Sequence, residues 1–437
     1  MIRFRSTRGE PGTVPLSAAL YRGIAPDGGL YVPESWPRRS PEDFRGRQTL
    51  AEIGETLLWP FFEGDALEQA LPAIAADAFS IPAPLVPIAG LEAGERASML
   101  ELYWGPTAAF KDFGARFLAA ALERLAGTER KRPLTILVAT SGDTGGAVAA
   151  AFHRRPFAQI VVLYPRGLVS PRQEQQLTCW GDNVRALSVR GSFDDCQRLV
   201  KEAFADPTLR AALDFSSANS INVGRLLPQA VYYAQASLQV FAAHGTKASF
   251  VIPAGNLGNS LACVWAKEMG LPIDEILLAH NQNRGVPDLL ASGRFEPRPS
   301  IATLASAMDV GNPSNLERLL ALYPGIEQLR AKVSAVSVDD AAIRERIRAE
   351  HAATGLILCP HTATAAEAYR RLPIEQRRRG PWVWVATAHP AKFPETVEPL
   401  IGRTVAIPES LARLLALPAT KTEIEASLPA LAAQLGP

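Results

Sequence analysis

From about residue 96 onward, short apolar runs alternate with longer stretches in which apolar positions return every three or four residues. The runs Thr135-Ile-Leu-Val-Ala139, Gln159-Ile-Val-Val-Leu-Tyr164, Phe250-Val-Ile-Pro253, Ile276-Leu-Leu-Ala279 and Trp382-Val-Trp-Val-Ala-Thr387 read as buried strands. Ala147 to Phe152, Ser260 to Met269 and the segments around 198–204 and 224–243 carry the helical period. Strands that alternate with helices predict parallel α/β layers, here in two units. Residues 1–95 are richer in turn signals. Pro26-Asp-Gly-Gly29 leads into Leu30-Tyr-Val32, and a helix is expected around Ile53-Gly-Glu-Thr-Leu-Leu58. The expected organisation is an N-terminal region over 1–95, one α/β unit over 96–245 and a second over 246–437 with the C-terminal tail.

One segment breaks the pattern with chemistry. In Gly105-Pro-Thr-Ala-Ala-Phe-Lys111-Asp-Phe-Gly, Gly105 and Pro106 make a turn and Thr107 suits an N-cap. Phe113, Phe117, Leu118, Ala121 and Leu125 then recur at helical spacing until Gly127. Lys111 therefore opens an apolar helix. A cation there faces the positive end of the helix dipole, which favours the neutral amine, the form that attacks a carbonyl. A single lysine more often lays its stem along the surface, so the reading depends on what accompanies it.

Composition narrows the company. The chain has 437 residues, 47% hydrophobic and 20% charged, enough for a large core and two or three domains. With 45 basic and 44 acidic side chains the net charge is +1, so no global field draws nucleic acid or an anionic membrane, and neither partner is expected. Cys179, Cys196, Cys263 and Cys359 form no C-x-x-C pair and the six histidines no compact ligand set, so neither a metal nor a disulfide framework is expected. The first residues lack an apolar signal core and no run of about 18 apolar residues follows, which predicts a cytoplasmic protein.

Two glycine turns join a strand to a helix. Ala254-Gly-Asn-Leu-Gly-Asn259 would let backbone N–H groups and a helix N-terminus meet a phosphate, although a plain tight turn has the same outline. In Ala139-Thr-Ser-Gly-Asp-Thr-Gly-Gly146, Ser141 and Thr144 could bind a carboxylate and Asp143 a polar cofactor atom, or all three could cap the helix. Neither turn is G-x-G-x-x-G or continues into Gly-Lys-Ser/Thr, and Tyr164-Pro-Arg stands where a ribose-binding acid would be, which disfavours nicotinamide and nucleoside triphosphates. Phe215-Ser-Ser-Ala-Asn-Ser-Ile-Asn-Val-Gly-Arg225 offers Asn219, Asn222 and Arg225 to an anion. In Val383-Trp-Val-Ala-Thr-Ala-His-Pro-Ala-Lys-Phe393, Thr387 could meet a ring nitrogen, while His389 and Lys392 are basic donors without a defined role.

Taken in order, the Lys111, Thr140–Gly145, Ser217–Asn222, Gly255–Gly258 and Thr387–Phe393 segments closely resemble the threonine synthase family. Asp27–Pro33 and Ala307–Asn315 extend the resemblance over nearly the full chain. It implies an α/β architecture of the tryptophan-synthase-β type, with pyridoxal 5'-phosphate (PLP) between a smaller domain over 96–245 and a larger one over 246–437. Lys111 is implied as catalytic residue and covalent cofactor anchor, Gly255, Asn256, Leu257, Gly258 and Asn259 as the holder of the cofactor phosphate, Thr387 as the partner of the pyridine nitrogen and Asp143 as neighbour of the ring oxygen. Ser141, Gly142 and Thr144 would receive the carboxylate of O-phospho-L-homoserine, and Thr107, Asn219, Asn222 and Arg225 would surround its phosphate. The implied reaction yields L-threonine and phosphate by γ-elimination and β-hydration, in a monomer or homodimer. Departures from the family pattern are Ala254, Leu257, Trp104, where His is frequent, and Cys359, where an acid frequently precedes Pro-His361. Other PLP lyases on the same fold, a nicotinamide oxidoreductase and a noncatalytic PLP-fold protein are the competing readings.

Overall fold

A computed structural model describes residues 1–127, 132–140 and 142–435. The strands are β1 (Phe4–Ser6), β2 (Tyr31–Pro33), β3 (Leu85–Pro87), β4 (Ala97–Glu101), β5 (Leu134–Ala139), β6 (Ala158–Pro165), β7 (Val184–Arg190), β8 (Asp214–Ser217), β9 (Ala248–Pro253), β10 (Ile273–His280), β11 (Ser334–Ser337), β12 (Trp382–Ala386) and β13 (Thr422–Glu425). They form a six-stranded sheet in the order β11-β10-β9-β12-β4-β3, a five-stranded sheet in the order β13-β7-β6-β5-β8, and a β1-β2 pair. Both large sheets are parallel apart from the antiparallel edge strand β3. Helices cover them, so central strands such as β5, β9 and β12 are buried at every position. That is why these strands read as unbroken apolar runs rather than as an alternation.

The expected strands and helices are present, with helices at Leu50–Phe62, Lys111–Ala126, Asp143–Phe152, Phe193–Ala205, Ala230–His244 and Gly258–Glu268. The contiguous division of the chain is not reproduced. β4, which leads to Lys111, lies in the larger sheet between β12 and β3, and β13 from the C-terminal tail pairs with β7 in the smaller one. The larger sheet therefore draws strands from all three expected segments, and the smaller one from the last two. Strand pairing brings together positions far apart in sequence, and local periodicity carries no information about such partners.

The Lys111 helix is the central packing element between the N-terminal region and the sheets. Phe113, Phe117, Leu118 and Leu122 on it are fully buried or nearly so. Phe117 meets Phe62 and Phe79 from the N-terminal region, and Phe113 packs edge-on against Tyr232. Gly114 permits the backbone of the short helix Val223–Leu226 to cross here, because a Cβ at 114 would meet the Arg225 carbonyl oxygen. Gly114→Ala is expected to lower stability by about 1–3 kcal/mol, the usual cost of overpacking a closed contact. The check is the midpoint of thermal or denaturant unfolding, and an unchanged midpoint would contradict the tight crossing.

Candidate active site

Five strand ends converge on one cleft of about 1420 Å³. In the larger sheet the chain leaves β4 toward Lys111, β12 toward Thr387 and β9 toward Gly255, and β12 lies between the other two. In the smaller sheet the adjacent strands β5 and β8 lead to Thr140–Thr144 and to Asn219–Arg225. Ligands gather at such carboxyl ends because helix N-termini and loop N–H groups collect there. The cleft is lined by Lys111, Asp143, Thr144, Asn219, Arg225, the 254–259 loop, His361 and Thr387, among others.

Lys111 is the first residue of its helix, as its sequence suggests. The preceding turn is fastened to the end of β12. Phe110 N–H donates to the Thr387 carbonyl at 2.9 Å, His389 N–H donates to the Ala108 carbonyl at 3.0 Å, and Ala109 and Ala388 form a β-bridge. Ala108 is held at a positive φ of 54°, a strained setting for alanine that these bonds maintain. The amine lies 4.4 Å from the centre of the Phe110 ring and makes no ion pair among the described residues. Burial lowers its pKa to about 8; Asp143 opposes that shift, while Lys392 and Arg225 add to it. A large neutral fraction at mild alkaline pH follows.

The 254–259 loop forms an anion cradle. Leu257 is left-handed, with φ 62°, and turns the chain into the helix Gly258–Glu268, whose first N–H groups have no acceptor within the helix. A Cβ at Gly255 would stand 2.7 Å from Met308 Cα, so only glycine lets the two backbones approach. Asn256 is fixed by Ser220 and Ser314, at 2.6 Å each. Asn259 Oδ1 accepts from Tyr232 and Tyr233 at 2.6 and 2.8 Å, and its buried Nδ2 has no partner among the described residues.

Arg225 is buried; its guanidinium donates from Nη1 to the Ala218 carbonyl at 2.5 Å, and its Nε has no partner among the described residues. Burial lowers its pKa to about 10, so it stays cationic at neutral pH without an ion-paired acid. Asn219, also on the cleft, has a buried Oδ1, an acceptor, without a partner among the described residues. An uncompensated buried cation on a cleft wall is costly unless an anion visits.

Three expected contacts take other places. Thr107 is wholly buried off the cleft and neither caps the helix nor faces a ligand: its N–H and hydroxyl donate to Asp112 Oδ2 and Oδ1 at 2.9 and 2.7 Å. Asn222 caps Val223–Leu226 through the Gly224 N–H and donates to the Leu20 and Ser217 carbonyls, which consumes its amide. Gly142, at φ 136°, packs beneath Gln173 instead of lining the cleft. Ser141 lies outside the described residues. A local motif shows that polar side chains cluster but not which way each one turns.

Other residues were named in the sequence without a fixed role. Lys392 is completely buried and forms an ion pair with Asp143 Oδ1 at 2.9 Å; this pair and the Lys111 amine hold the Asp143 carboxyl far below the usual range against the opposing effect of burial. His361 lines the cleft as a neutral ring, pushed down to about 4 by burial, and its Nε2 accepts from Ala307 N–H at 3.1 Å. His389 instead caps the turn Pro390–Lys392. Trp104 is exposed, stacked near Tyr103 and His389 and absent from the cleft wall. Cys359 Sγ accepts from Thr362 N–H at 3.4 Å and so performs the capping task an acid could perform there.

These residues fit PLP by the chemistry of their donors. A desolvated amine suits its aldehyde, the open helix N-terminus suits its phosphate, and the Thr387 hydroxyl, with no hydrogen-bond partner among the described residues, suits its ring nitrogen. Arg225 remains as a second anion locus.

Comparison with known proteins agrees. Residues 79–387 match the family described as pyridoxal-phosphate dependent enzyme, residues 3–79 match threonine synthase N terminus, and residues 362–434 match threonine synthase, C-terminal. The chain is 39% identical over 431 residues to threonine synthase of Escherichia coli (strain K12), covering 96% of this chain and 95% of that one. It is 37% identical to that of Haemophilus influenzae, covering 94% of each. The crystal structure of PLP-bound threonine synthase from Brucella melitensis superposes with a TM-score of 0.89 at 34% identity, covering 100% of this chain and 99% of that one. No helix among the described residues is long and apolar enough to cross a membrane.

A lowered Lys111 pKa makes a pH prediction. Its neutral fraction rises as pH passes through about 8, instead of the ordinary 10.5. In cofactor-free protein, labelling of Lys111 by an amine reagent, followed by peptide mass spectrometry, should show a midpoint near that value. A midpoint above about 10 would contradict the desolvated setting.

Proposed function

The chain belongs to the threonine synthase family of PLP-dependent enzymes, and from that premise we propose how the cleft residues divide the reaction. The enzyme is a lyase and catalyses the last step of threonine biosynthesis. In the proposed reaction O-phospho-L-homoserine and water give L-threonine and phosphate. The observation that carries this substrate is the second anion locus: the cleft that contains the helix N-terminus at Gly258 also holds Arg225, buried and without an ion pair among the described residues. A substrate with its own phosphate fills it; a substrate without one leaves a buried cation uncompensated.

PLP, once bound, supplies the electron sink that makes protons on the substrate's α- and β-carbons removable. The loop 255–259 holds its phosphate, Asn256 by fixing the loop and Asn259 through its free amide, while Leu257 shapes the turn. Lys111 anchors the cofactor and, when displaced by the substrate amine, takes the α-proton on Nζ. Thr387 would offer its hydroxyl to the ring nitrogen, which a hydroxyl cannot protonate as firmly as an acid would, and Asp143 would be the partner on the side of the ring oxygen.

Thr144, with Ser141, receives the substrate carboxylate, and Arg225 with Asn219 holds the phosphate while its bond to the γ-carbon breaks. Water then adds at the β-carbon. Arg225 keeps the released phosphate close enough to help deprotonate that water. The smaller sheet and its helices close over the substrate to keep stray water away from the reacting carbons. A monomer or homodimer and a cytoplasmic location are part of the same proposal.

The test is incubation of PLP-loaded protein with O-phospho-L-homoserine while phosphate, threonine and 2-oxobutyrate are measured together. Threonine and phosphate in equal amounts are expected. Phosphate with 2-oxobutyrate would favour a lyase that stops at elimination. Lys111→Ala should abolish borohydride-trappable cofactor, and trapping at a different lysine would sink the assignment. Arg225→Ala should lower kcat/KM by at least about 30-fold, the equivalent of roughly 2 kcal/mol for losing a charged contact in a closed site. Unchanged turnover would remove Arg225 from the phosphate site.

A further inference from the structure

Lys392 was left without a role by its sequence, yet it occupies a specific junction. Its Nζ lies 2.9 Å from Asp143 Oδ1 and donates to the Thr107 carbonyl at 2.8 Å. The same two acceptors are held from another side by the helix Pro171–Thr178. There Gln173 Nε2 donates to Asp143 Oδ1 at 3.1 Å, and Gln176 Nε2 donates to the Thr107 carbonyl at 2.9 Å. Gln173 and Gln176, three residues apart, share one helix face. Lys392 therefore ties together the start of the Asp143 helix, the turn that delivers Lys111, and the end of β12.

A fully buried lysine is expensive unless paired, and its pairing here has a consequence for the next cation along. Asp143 Oδ1 already takes two donors, and no bond to Oδ2 is found among the described residues. Lys111 and Asp143 line the same cleft, and after Lys392 the Lys111 amine is the next cation whose charge acts on that carboxylate. We propose that Lys392 is a positioning residue: by holding Asp143 through Oδ1 it prevents that carboxylate from capturing the Lys111 amine, and so reserves the amine for the cofactor. The proposal deepens the reading of Lys111 as cofactor anchor and rests on it. Lys392 itself touches neither cleft nor ligand.

The charged groups around this junction come from several elements. Asp112 and Asp143 attract Lys111, whereas Lys392 and Arg225 repel it. Lys392 acts on Asp143, Asp112, His361 and His389, and burial keeps both histidines neutral at neutral pH. Asp112, raised to about 6 by burial, is already occupied by the Thr107 N–H and hydroxyl. Asp143 is thus the carboxylate whose partner decides the balance.

The experiment is a pH titration of the visible absorbance of cofactor-loaded protein, which reports protonation at the Lys111 nitrogen. Lys392→Met should move the midpoint up by about one pH unit or more, the shift an unopposed carboxylate produces at close range. Lys392→Arg should restore it, and Lys392→Met combined with Asp143→Asn should bring it back to or below the wild-type value. A Lys392→Met midpoint equal to wild type, or a double variant as high as the single one, overturns the proposal; a merely structural Lys392 would leave the midpoint alone. Should Lys392→Met fail to fold, Asp143→Asn decides. Its midpoint should fall because Lys392 then repels Lys111 unopposed, and no change overturns the inference. Absence of a visible band in the wild type, or covalent cofactor at another lysine, would instead remove the Lys111 reading on which it rests.

Discussion

A cleft that excludes water obliges every charge within it to find a partner or change state. That constraint orders the site. Asp143 stays ionised because Lys392 and Gln173 hold it. Asp112 is held by the turn it supports, through the N–H and hydroxyl of Thr107. His361 and His389 lose their protons to burial. Lys111 and Arg225, the cleft cations whose charge burial disfavours, have no ion-paired acid among the described residues, and they are the two assigned to bond with ligands. The chemistry follows from what burial leaves unpaired.

The topology makes such a cleft possible. Each parallel sheet sends its loops to one edge, and here two such edges face each other across a common space. The chain does not finish one sheet before beginning the other. β4 is laid into the larger sheet before the smaller one is built, and β13 returns to the smaller sheet after the larger is complete. The Lys111 helix packs with the N-terminal helices and with the Asp143 helix, while the turn before it is fixed to β12. Lys111 thus belongs mechanically to both sides of the cleft, a suitable place for a residue that must bond to a cofactor and then release it.

Much of the site was legible because its chemistry is written in contiguous stretches. Gly255 to Asn259, Thr387 and Lys111 could be picked out from strand–turn–helix patterns and glycine placement, and each lies on the cleft. The full-length resemblance then assembled them into a PLP site. Legibility failed where a side chain had to choose between a ligand and its own backbone. Thr107 and Asn222 look like anion donors in the sequence but spend their hydrogen bonds on Asp112 and on a helix cap. Arg225, from the same polar stretch as Asn222, keeps a donor, Nε, without a partner among the described residues. Composition cannot separate these cases, because the choice depends on neighbours up to two hundred residues away, such as Leu20 for Asn222.

The sequence by itself determined the α/β class, the positions of the strands and helices around the site, the glycine cradle and the helix-opening lysine. All of these arise from periodicity and local backbone preference, which act over a few residues. Tertiary structure alone decided which strands became neighbours, how the chain divides its strands between the two sheets, and which buried charges were paired. The Lys392–Asp143 contact spans 249 positions and has no local signature. Long-range electrostatics in a dry interior depends on where chains meet, and only the folded chain brings that lysine to that carboxylate.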